Sequence, residues 1–462
     1  MVGGPGEPVA GFRERFRRLF ETPSPVRPGI YHYRREAGGR MMRLHLRVEA
    51  DGAGLLLVNA SGVLHLNATA VLLIKLFLDG HSRDDAVSTA CDHYLAYRAD
   101  VERDFDKICK LIAHMEAAED ACPVASLEVP SVPPFGRKVS APYRADLALT
   151  YECNNRCLHC YVARGPGEKT PLAFGEWKQV LDRLWAVGVP HVCFTGGEAT
   201  LSPHLVGLIE YAEDLGMVSG LLTNGLALAD REYPRRLVGA GLDHVQITIE
   251  SHREAVHDQM VGSPGAFRET LKGIANALAE DLFLVTNTTL CKLNLADADR
   301  IVEFLAGLGV RTFAMNSLIA TGRAPESGLG IAEPELEPVL GLVNAVARHL
   351  KMRFIWYTPT HYCKLNPTTH GLGYKRCTAG EYNICIEPDG AVIPCQSYYQ
   401  PAGHILRDEW GAIWNSPLFT AIRERSSVPE SCRGCPDFEV CGSGCPLSSG
   451  DRFLCTDSTS EG

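Results

Sequence analysis

Three cysteines stand as C-x3-C-x2-C in the segment YECNNRCLHCYVARG: Cys153, Cys157 and Cys160. Three thiolates leave one iron of a 4Fe–4S cube without a protein ligand. An open iron is a place for chemistry, whereas a four-cysteine cluster mainly transfers electrons. The same thiols also suit zinc, so the spacing alone leaves both metals open. Nine more cysteines lie near the carboxyl end: Cys363, Cys377, Cys385, Cys395, Cys432, Cys435, Cys441, Cys445 and Cys455. From Cys377 they read C-x12-G-x4-C, then C-x2-C-x5-C-x3-C from Cys432, then Cys455. Seven of them plus Cys363 are enough for two closed four-thiolate clusters, with Cys385 competing for the place of Cys363. The remaining five, Cys91, Cys109, Cys122, Cys193 and Cys291, are isolated and read as small buried hydrophobes.

Two further segments carry groups that suit a small polar ligand. TGGEATLSP supplies Gly196, Gly197 and Glu198, where bare backbone plus one carboxylate fits an ammonium group. LLTNG supplies Thr223 and Asn224 for hydroxyls such as those of a ribose.

The elements that must hold these residues follow from periodicity. From Asp146, strands are expected at Leu147–Tyr151, His191–Thr195, Ser219–Thr223, His244–Ile249, Leu282–Leu290 and Thr312–Leu318. Amphipathic helices at Phe174–Val187, His204–Leu215, Tyr233–Val238, Ala266–Ala279, Leu295–Leu308 and Glu333–Leu350 alternate with them. Six β/α units joined by right-handed crossovers make a parallel sheet curled into an open barrel, with the cysteine triplet and GGE at the carboxyl ends of strands. In the strand His244–Ile249, Val245, Ile247 and Ile249 face one way and Gln246, Thr248 and Glu250 the other. A filled barrel would carry branched aliphatics inside, so the polar face implies a lumen that holds a ligand.

Upstream, residues 30 to 117 read as an α+β module: strands around Leu44–Val48, Leu55–Val58 and Val63–Leu66, then helices Ala68–Phe77, Arg83–Leu95 and Val101–Met115. A proline-bearing linker, Ala121–Tyr143, follows. Beyond Trp356 helical periodicity is lost except at Trp410–Arg425, and such a segment needs metal for its fold. The expected division is therefore an extension at 1–29, a module at 30–120, a linker at 121–145, a barrel at 146–356 and a cysteine-rich domain at 357–462.

The cluster motif, GGE and the six-unit rhythm over Asp146–Tyr357 together resemble the radical S-adenosylmethionine superfamily. The resemblance implies that Cys153, Cys157 and Cys160 hold a 4Fe–4S cluster whose open iron chelates S-adenosylmethionine, which electron transfer cleaves to a 5′-deoxyadenosyl radical. It implies that Gly196, Gly197 and Glu198 hold the methionine amine and that His159 lies against the adenine. It makes Asn224, Glu250 and Asn287 ribose or carboxylate contacts. The family tetrad usually ends in proline, where this chain has Ala199, which loosens the expected turn. The second cysteine pattern resembles the SPASM domain. That likeness puts Cys363, Cys377, Cys395 and Cys445 on one auxiliary 4Fe–4S cluster and Cys432, Cys435, Cys441 and Cys455 on another. SPASM sulfatase-maturing enzymes carry an aspartate base beside such a cysteine; Gln396 follows Cys395 here and cannot take a proton. Asn67-Ala68-Thr69-Ala70 entering an apolar helix, with Asp79-Gly80 after it, resembles the PqqD-like peptide-recognition element, a winged-helix-like module.

The fold class expected is thus α/β: a partial (β/α)6 barrel with an N-terminal winged-helix-like module and a C-terminal iron–sulfur domain. The function expected is a radical enzyme that modifies a ribosomally made precursor peptide, held by its leader and fed by an electron donor such as flavodoxin or ferredoxin. One rival is the same chemistry on a small molecule such as a tetrapyrrole; another is an electron carrier, which would need neither GGE nor a polar lumen. In a chain of 462 residues, 45% apolar and 22% charged residues describe an ordinary globular protein. A net charge of −10 gives no reason to expect nucleic acid. The greasiest stretch, Leu55–Leu78, contains Asn59, His65, Asn67 and Lys75, so no membrane span is expected. Seventeen cysteines without an export signal fit a reducing cytoplasm and metal rather than disulfides.

Overall fold

A computed structural model describes residues 24–447, apart from 38–39, 60–61, 95, 118–137, 163–164 and 166–167. The expected extension at 1–29, most of the linker at 121–145, Cys122 and Cys455 lie largely or wholly outside the described residues. The chain forms two compact units, divided between residues 132 and 133.

The first unit is a four-stranded antiparallel meander, β1 (Gly29–Ala37), β2 (Arg40–Val48), β3 (Gly54–Val58) and β4 (Gly62–Leu66), in that spatial order. Helices α1 (Ala68–Leu78), α2 (Arg83–Tyr94) and α3 (Arg98–Ala117) follow. Three strands were expected, and β1 is the additional one. It places Tyr31, Tyr33 and Arg35 on one face and His32 and Arg34 on the other, so no aliphatic alternation marks it, yet it pairs with β2 along its whole length. The Asn67 side chain caps α1 by accepting from Ala70 N at 2.8 Å. Leu44, Leu46, Leu56, Val71, Leu73, Ile74 and Ile112 form a core that belongs to this unit alone.

The second unit is built on one ten-stranded sheet of order β11-β10-β9-β8-β7-β6-β5-β12-β13-β14. Its parallel part runs β5 (Arg144–Ala148), α4 (Phe174–Ala186), β6 (His191–Thr195), α5 (Leu205–Leu215), β7 (Val218–Thr223), α6 (Glu232–Gly239) and β8 (His244–Thr248). It continues with α7 (Glu254–Val261), α8 (Ala266–Leu278), β9 (Phe283–Leu290), α9 (Ala298–Gly307), β10 (Thr312–Ser317), α10 (Ala324–Ser327), α11 (Glu333–His349) and β11 (Arg353–Trp356). The six expected units are present, and β11 adds a short seventh parallel strand. Val245, Ile247 and Ile249 pack under the helices with Phe194, Leu221 and Phe313, while Gln246 and Thr248 take the opposite, lumen face. Trp177, Val180, Leu181 and Leu184 place one stripe of α4 in that same core.

One expectation needs correction. The first barrel strand ends at Ala148, three residues earlier than periodicity implied, because the glycine turn after β6 captures the next residues. Beyond Trp356, where helical periodicity is lost, short strands are found. Strands β12 (Asn383–Ile386), β13 (Ala391–Ile393) and β14 (Gly403–His404) extend the barrel sheet, β12 pairing parallel with β5 from Asn383↔Arg144 to Ile386↔Leu147. Barrel and cysteine-rich segment thus share one sheet and one core, with Ile384, Ile386, Val392 and Phe419 packed beside Leu147 and Trp177.

That sharing makes a prediction. Ile386→Ala removes a fully buried side chain from β12 and should cost about 2–5 kcal/mol. Denaturant unfolding of the cluster-loaded protein should show barrel and cysteine-rich segment losing stability together. A shift confined to the cysteine-rich segment would contradict the shared core.

Candidate active site at the carboxyl ends of the barrel strands

The cysteine triplet lies in the long connection between β5 and α4, which has no regular structure around the thiols and is held by its neighbours. Gly197 N donates to Thr150 O at 2.7 Å, and Glu198 N donates to Glu152 O at 2.8 Å. Those contacts require bare backbone. A Cβ on Gly196 would stand 2.1 Å from Thr150 O, and one on Gly197 would stand 2.3 Å from Glu152 O. Gly196 also has φ +138°, which L side chains rarely adopt. Further along, Arg156 N donates to Val261 O at 2.9 Å and Leu158 N to Met260 O at 2.8 Å, docking the loop on the end of α7. Arg323 N donates to Cys160 O at 2.9 Å from the segment after β10.

The three thiols share one environment. Burial pushes Cys153 and Cys157 up from the ordinary thiol range, and the neighbouring Cys160 adds to the rise in both. The Arg323 charge acts in the opposite direction on both, favouring thiolate. Sequence reasoning passed over Arg323, whose only signal is its place after a barrel strand.

Glu198 is 2% exposed and heavily engaged. Its Oε1 accepts from Thr200 N at 3.1 Å, Thr200 Oγ1 at 2.7 Å and Thr223 Oγ1 at 2.7 Å, while Oε2 accepts from Asn224 N at 2.8 Å. A carboxylate offers about four acceptor sites, so Oε2 is the oxygen with capacity left for a ligand. Capping of Thr200 by Glu198 and the bond from Ser202 N to Ala199 O at 3.0 Å fix the turn without the proline that Ala199 replaces. The Asn224 side chain donates to Asn154 Oδ1 at 2.6 Å, beside the first cysteine.

His159 and Glu250 meet as a buried pair, Nε2 to Oε1 at 2.8 Å. Burial opposes a charged ring, but the charge of Glu250 and its hydrogen bond lift His159 above the ordinary histidine value. The other oxygen of Glu250 accepts from Thr289 N at 2.8 Å. Glu250, expected as a ligand contact, is therefore fully buried and ties the cysteine loop to β9. Asn287 lies on the lumen face of β9 and donates to Asn316 Oδ1 at 2.9 Å. Its own Oδ1, like His159 Nδ1, is buried without a hydrogen-bond partner in the protein. Such orphaned atoms mark a place for a polar ligand.

In the cysteine-rich segment, burial raises the Cys395 thiol and Cys377 and Cys445 add to it, so these three are neighbours. Cys441 likewise feels burial first, and Cys432 among its charged neighbours. Tyr362 N donates to Cys441 Sγ at 3.4 Å. The next residue, Cys363, is held in a disulfide, against the expectation of a free metal-binding thiol there. Cys435 is exposed. Cys385 is buried on β12 beside the Cys395 group, and burial, then the adjacent Asp146 and Cys395, raise its thiol. Tyr161, directly after Cys160, donates to Gln396 Oε1 at 2.7 Å, directly after Cys395. A narrow cleft lined by Tyr151, Tyr161, Cys385, Gln396 and Tyr399 runs between the two cysteine regions.

Residues 147–305 match the family described as the radical SAM superfamily, and residues 377–436 match SPASM, an iron–sulfur cluster-binding domain. The chain thus carries a radical SAM domain followed by a SPASM domain. An AdoMet-dependent heme synthase of Methanosarcina barkeri is 28% identical over 322 residues, 66% of this chain and 91% of that one. A PqqA peptide cyclase of Bradyrhizobium diazoefficiens is 29% identical over 325 residues, 67% of this chain and 83% of that one. Among solved structures, Streptococcus suis SuiB bound to precursor peptide SuiA matches with a TM-score of 0.66 at 15% identity, over 90% of this chain and 96% of that one.

This radical SAM domain binds S-adenosylmethionine and a 4Fe–4S cluster, and the SPASM domain binds auxiliary iron–sulfur clusters. The site fits them: three thiols facing one another, a carboxylate oxygen with spare capacity and two orphaned polar atoms in the lumen. Among the described residues no helix is long and apolar enough to cross a membrane.

Glu198→Gln sets an amide among four donors and removes a charge-assisted bond worth roughly 1.5–3 kcal/mol. S-adenosylmethionine binding, measured by equilibrium dialysis, should weaken about ten- to a hundredfold with iron content unchanged. An unchanged dissociation constant would reduce GGE to a turn.

Proposed function

We propose that the protein is a radical maturase that modifies a ribosomally synthesised precursor peptide. Cys153, Cys157 and Cys160 hold the first cluster, and Oε2 of Glu198, with the bare backbone of Gly196 and Gly197, receives the methionine ammonium. Asn224 and Asn287 meet ribose or carboxylate oxygens. His159, fixed by Glu250, lies at the adenine. When bound, the cluster supplies the electron that cleaves S-adenosylmethionine to a 5′-deoxyadenosyl radical. The protein's own part is to orient the cofactor, hold Tyr161 and Gln396 at the cleft and keep water out of the lumen.

Cys377, Cys395, Cys445 and Cys363 take one auxiliary cluster; Cys432, Cys435, Cys441 and Cys455 take the other. Cys385 remains the alternative to Cys363, which can serve as a ligand only once its disulfide is reduced. Electrons come from a small donor such as flavodoxin or ferredoxin in a reducing cytoplasm.

The observation that carries the peptide reading is the first unit. It has its own core and places β4 at a sheet edge, to which an extended leader can add as a strand. The fold likeness to SuiB covers 90% of the chain, more than the second unit alone supplies, and that protein was seen with a precursor peptide bound. This supports reading residues 30–117 as a PqqD-like recognition element. The heme synthase relative favours a second reading, radical chemistry on a tetrapyrrole, which has no use for such a unit.

Deletion of residues 1–121 separates the two. The truncated enzyme should keep about twelve irons per chain from three 4Fe–4S clusters, and its basal cleavage of S-adenosylmethionine. It should lose modification of a full precursor at micromolar peptide, read by mass spectrometry. Equal modification by truncated and intact enzyme would move the small-molecule reading ahead.

A further inference from the structure

At the amino ends of the barrel strands, away from the cysteine loops, three metal-binding side chains converge. His191 begins β6, Cys193 lies two residues on along the same face, and His244 begins β8. His191 Nε2 and His244 Nε2 are 2.8 Å apart, and Cys193 Sγ is 3.4 Å from the first and 4.0 Å from the second. The strand between them, β7, gives way to allow this. A Cβ on Gly220 would lie 2.1 Å from His244 Cε1 and 2.9 Å from Cys193 Sγ, so only glycine lets the ring cross over β7.

We propose that His191, Cys193 and His244 form a zinc(II) site, separate from every iron–sulfur cluster. Two imidazole nitrogens and one thiolate are a donor set suited to zinc, with bonds of about 2.0–2.1 Å to nitrogen and about 2.3 Å to sulfur. Ligands on a tetrahedral ion at those lengths stand roughly 3.3–3.6 Å from one another, close to the spread of the three separations here. The electrostatics agree with such an ion. Burial, then the Arg144 charge, lowers His244 to about 4, so the ring is neutral and has a lone pair to give. Burial raises Cys193 to about 12, so zinc would bind by displacing its proton to solvent. Asp146, paired in register with Cys193, is ion-paired with Arg144 at 3.0 Å and so offsets the guanidinium charge beside the site. His244 is only partly buried, so the site lies within reach of solvent.

The site lies about four strand residues, roughly 13 Å, from the GGE end of β6. Its role is to staple β6 to β8 across β7, beneath the strands whose far ends carry Glu198, Asn224 and Glu250. It depends on none of the assignments made for the radical chemistry.

The test is metal analysis of intact protein purified anaerobically, loaded with iron and sulfide, incubated with one equivalent of zinc and desalted. The expected result is about one zinc per chain on top of the iron. X-ray absorption at the zinc edge should show one sulfur with nitrogen or oxygen neighbours. Cys193→Ser and His244→Ala should each lose most of that zinc with iron content unchanged. Zinc below a tenth of an equivalent in the iron-loaded wild type would overturn the proposal. So would a four-sulfur zinc environment, or zinc that survives both substitutions, since either places the ion in a cysteine cluster.

Discussion

The contact of bare backbone with bare backbone at the GGE turn is the constraint on which the rest of the site depends. The cysteine loop has little structure of its own, so the spacing of its thiols must be imposed from outside. Thr150 O and Glu152 O take hydrogen bonds from the turn at one end, Val261 O and Met260 O take them from the middle of the loop, and Arg323 N reaches Cys160 O at the other end. Each such bond contributes only about 1 kcal/mol net. Their combined effect is geometric, because they join the loop to β6, α7 and the segment after β10. The His159–Glu250 pair adds a fourth tie, from the loop to β8 and β9.

The same economy of contacts explains why the two cysteine regions can act as one site. Strand β12 continues the barrel sheet beside β5, and β13, which leads into Cys395, pairs with β12, so only one strand separates the two cysteine-bearing segments. Tyr161 and Gln396 meet there by a direct hydrogen bond. Gln396 offers an amide oxygen that is already engaged, which agrees with the argument that it does not serve as a base. The polar lumen face of β8 and β9 has a complementary cost: Asn287 Oδ1 is left buried without a partner, which a ligand would relieve.

Much of this was legible in the sequence because the barrel strands are short apolar runs separated by amphipathic helices, and β8 alternates strictly. His191–Thr195 needed no correction, and the ends of β7 to β10 moved by one residue. What escaped had weak local signals. Strand β1 shows no alternation, α7 is short, and β12 to β14 are two to four residues long and gain their pairing from β5 rather than from their own pattern. In the site, residue types pointed to the cysteines, GGE and the asparagines, but not to how completely Glu250 is consumed by His159 and Thr289. Motifs name the residues that meet; they do not say which hydrogen bonds each has left. Cys193, read as a small buried hydrophobe, lies between two histidines because Gly220 on the intervening strand has no side chain, a relation no local pattern reveals.

The central claim, that the glycine turn builds the S-adenosylmethionine site by gripping the cysteine loop, is tested most directly by Gly197→Ala. The new Cβ would lie 2.3 Å from Glu152 O and 2.6 Å from Tyr151 O, both backbone atoms that cannot swing aside. Electron paramagnetic resonance of the reduced, cluster-loaded protein, with and without S-adenosylmethionine, reads the outcome. In the wild type the cofactor should perturb the signal of one cluster among three. In Gly197→Ala that response should vanish while the auxiliary signals persist. A full response to S-adenosylmethionine in Gly197→Ala would contradict the account.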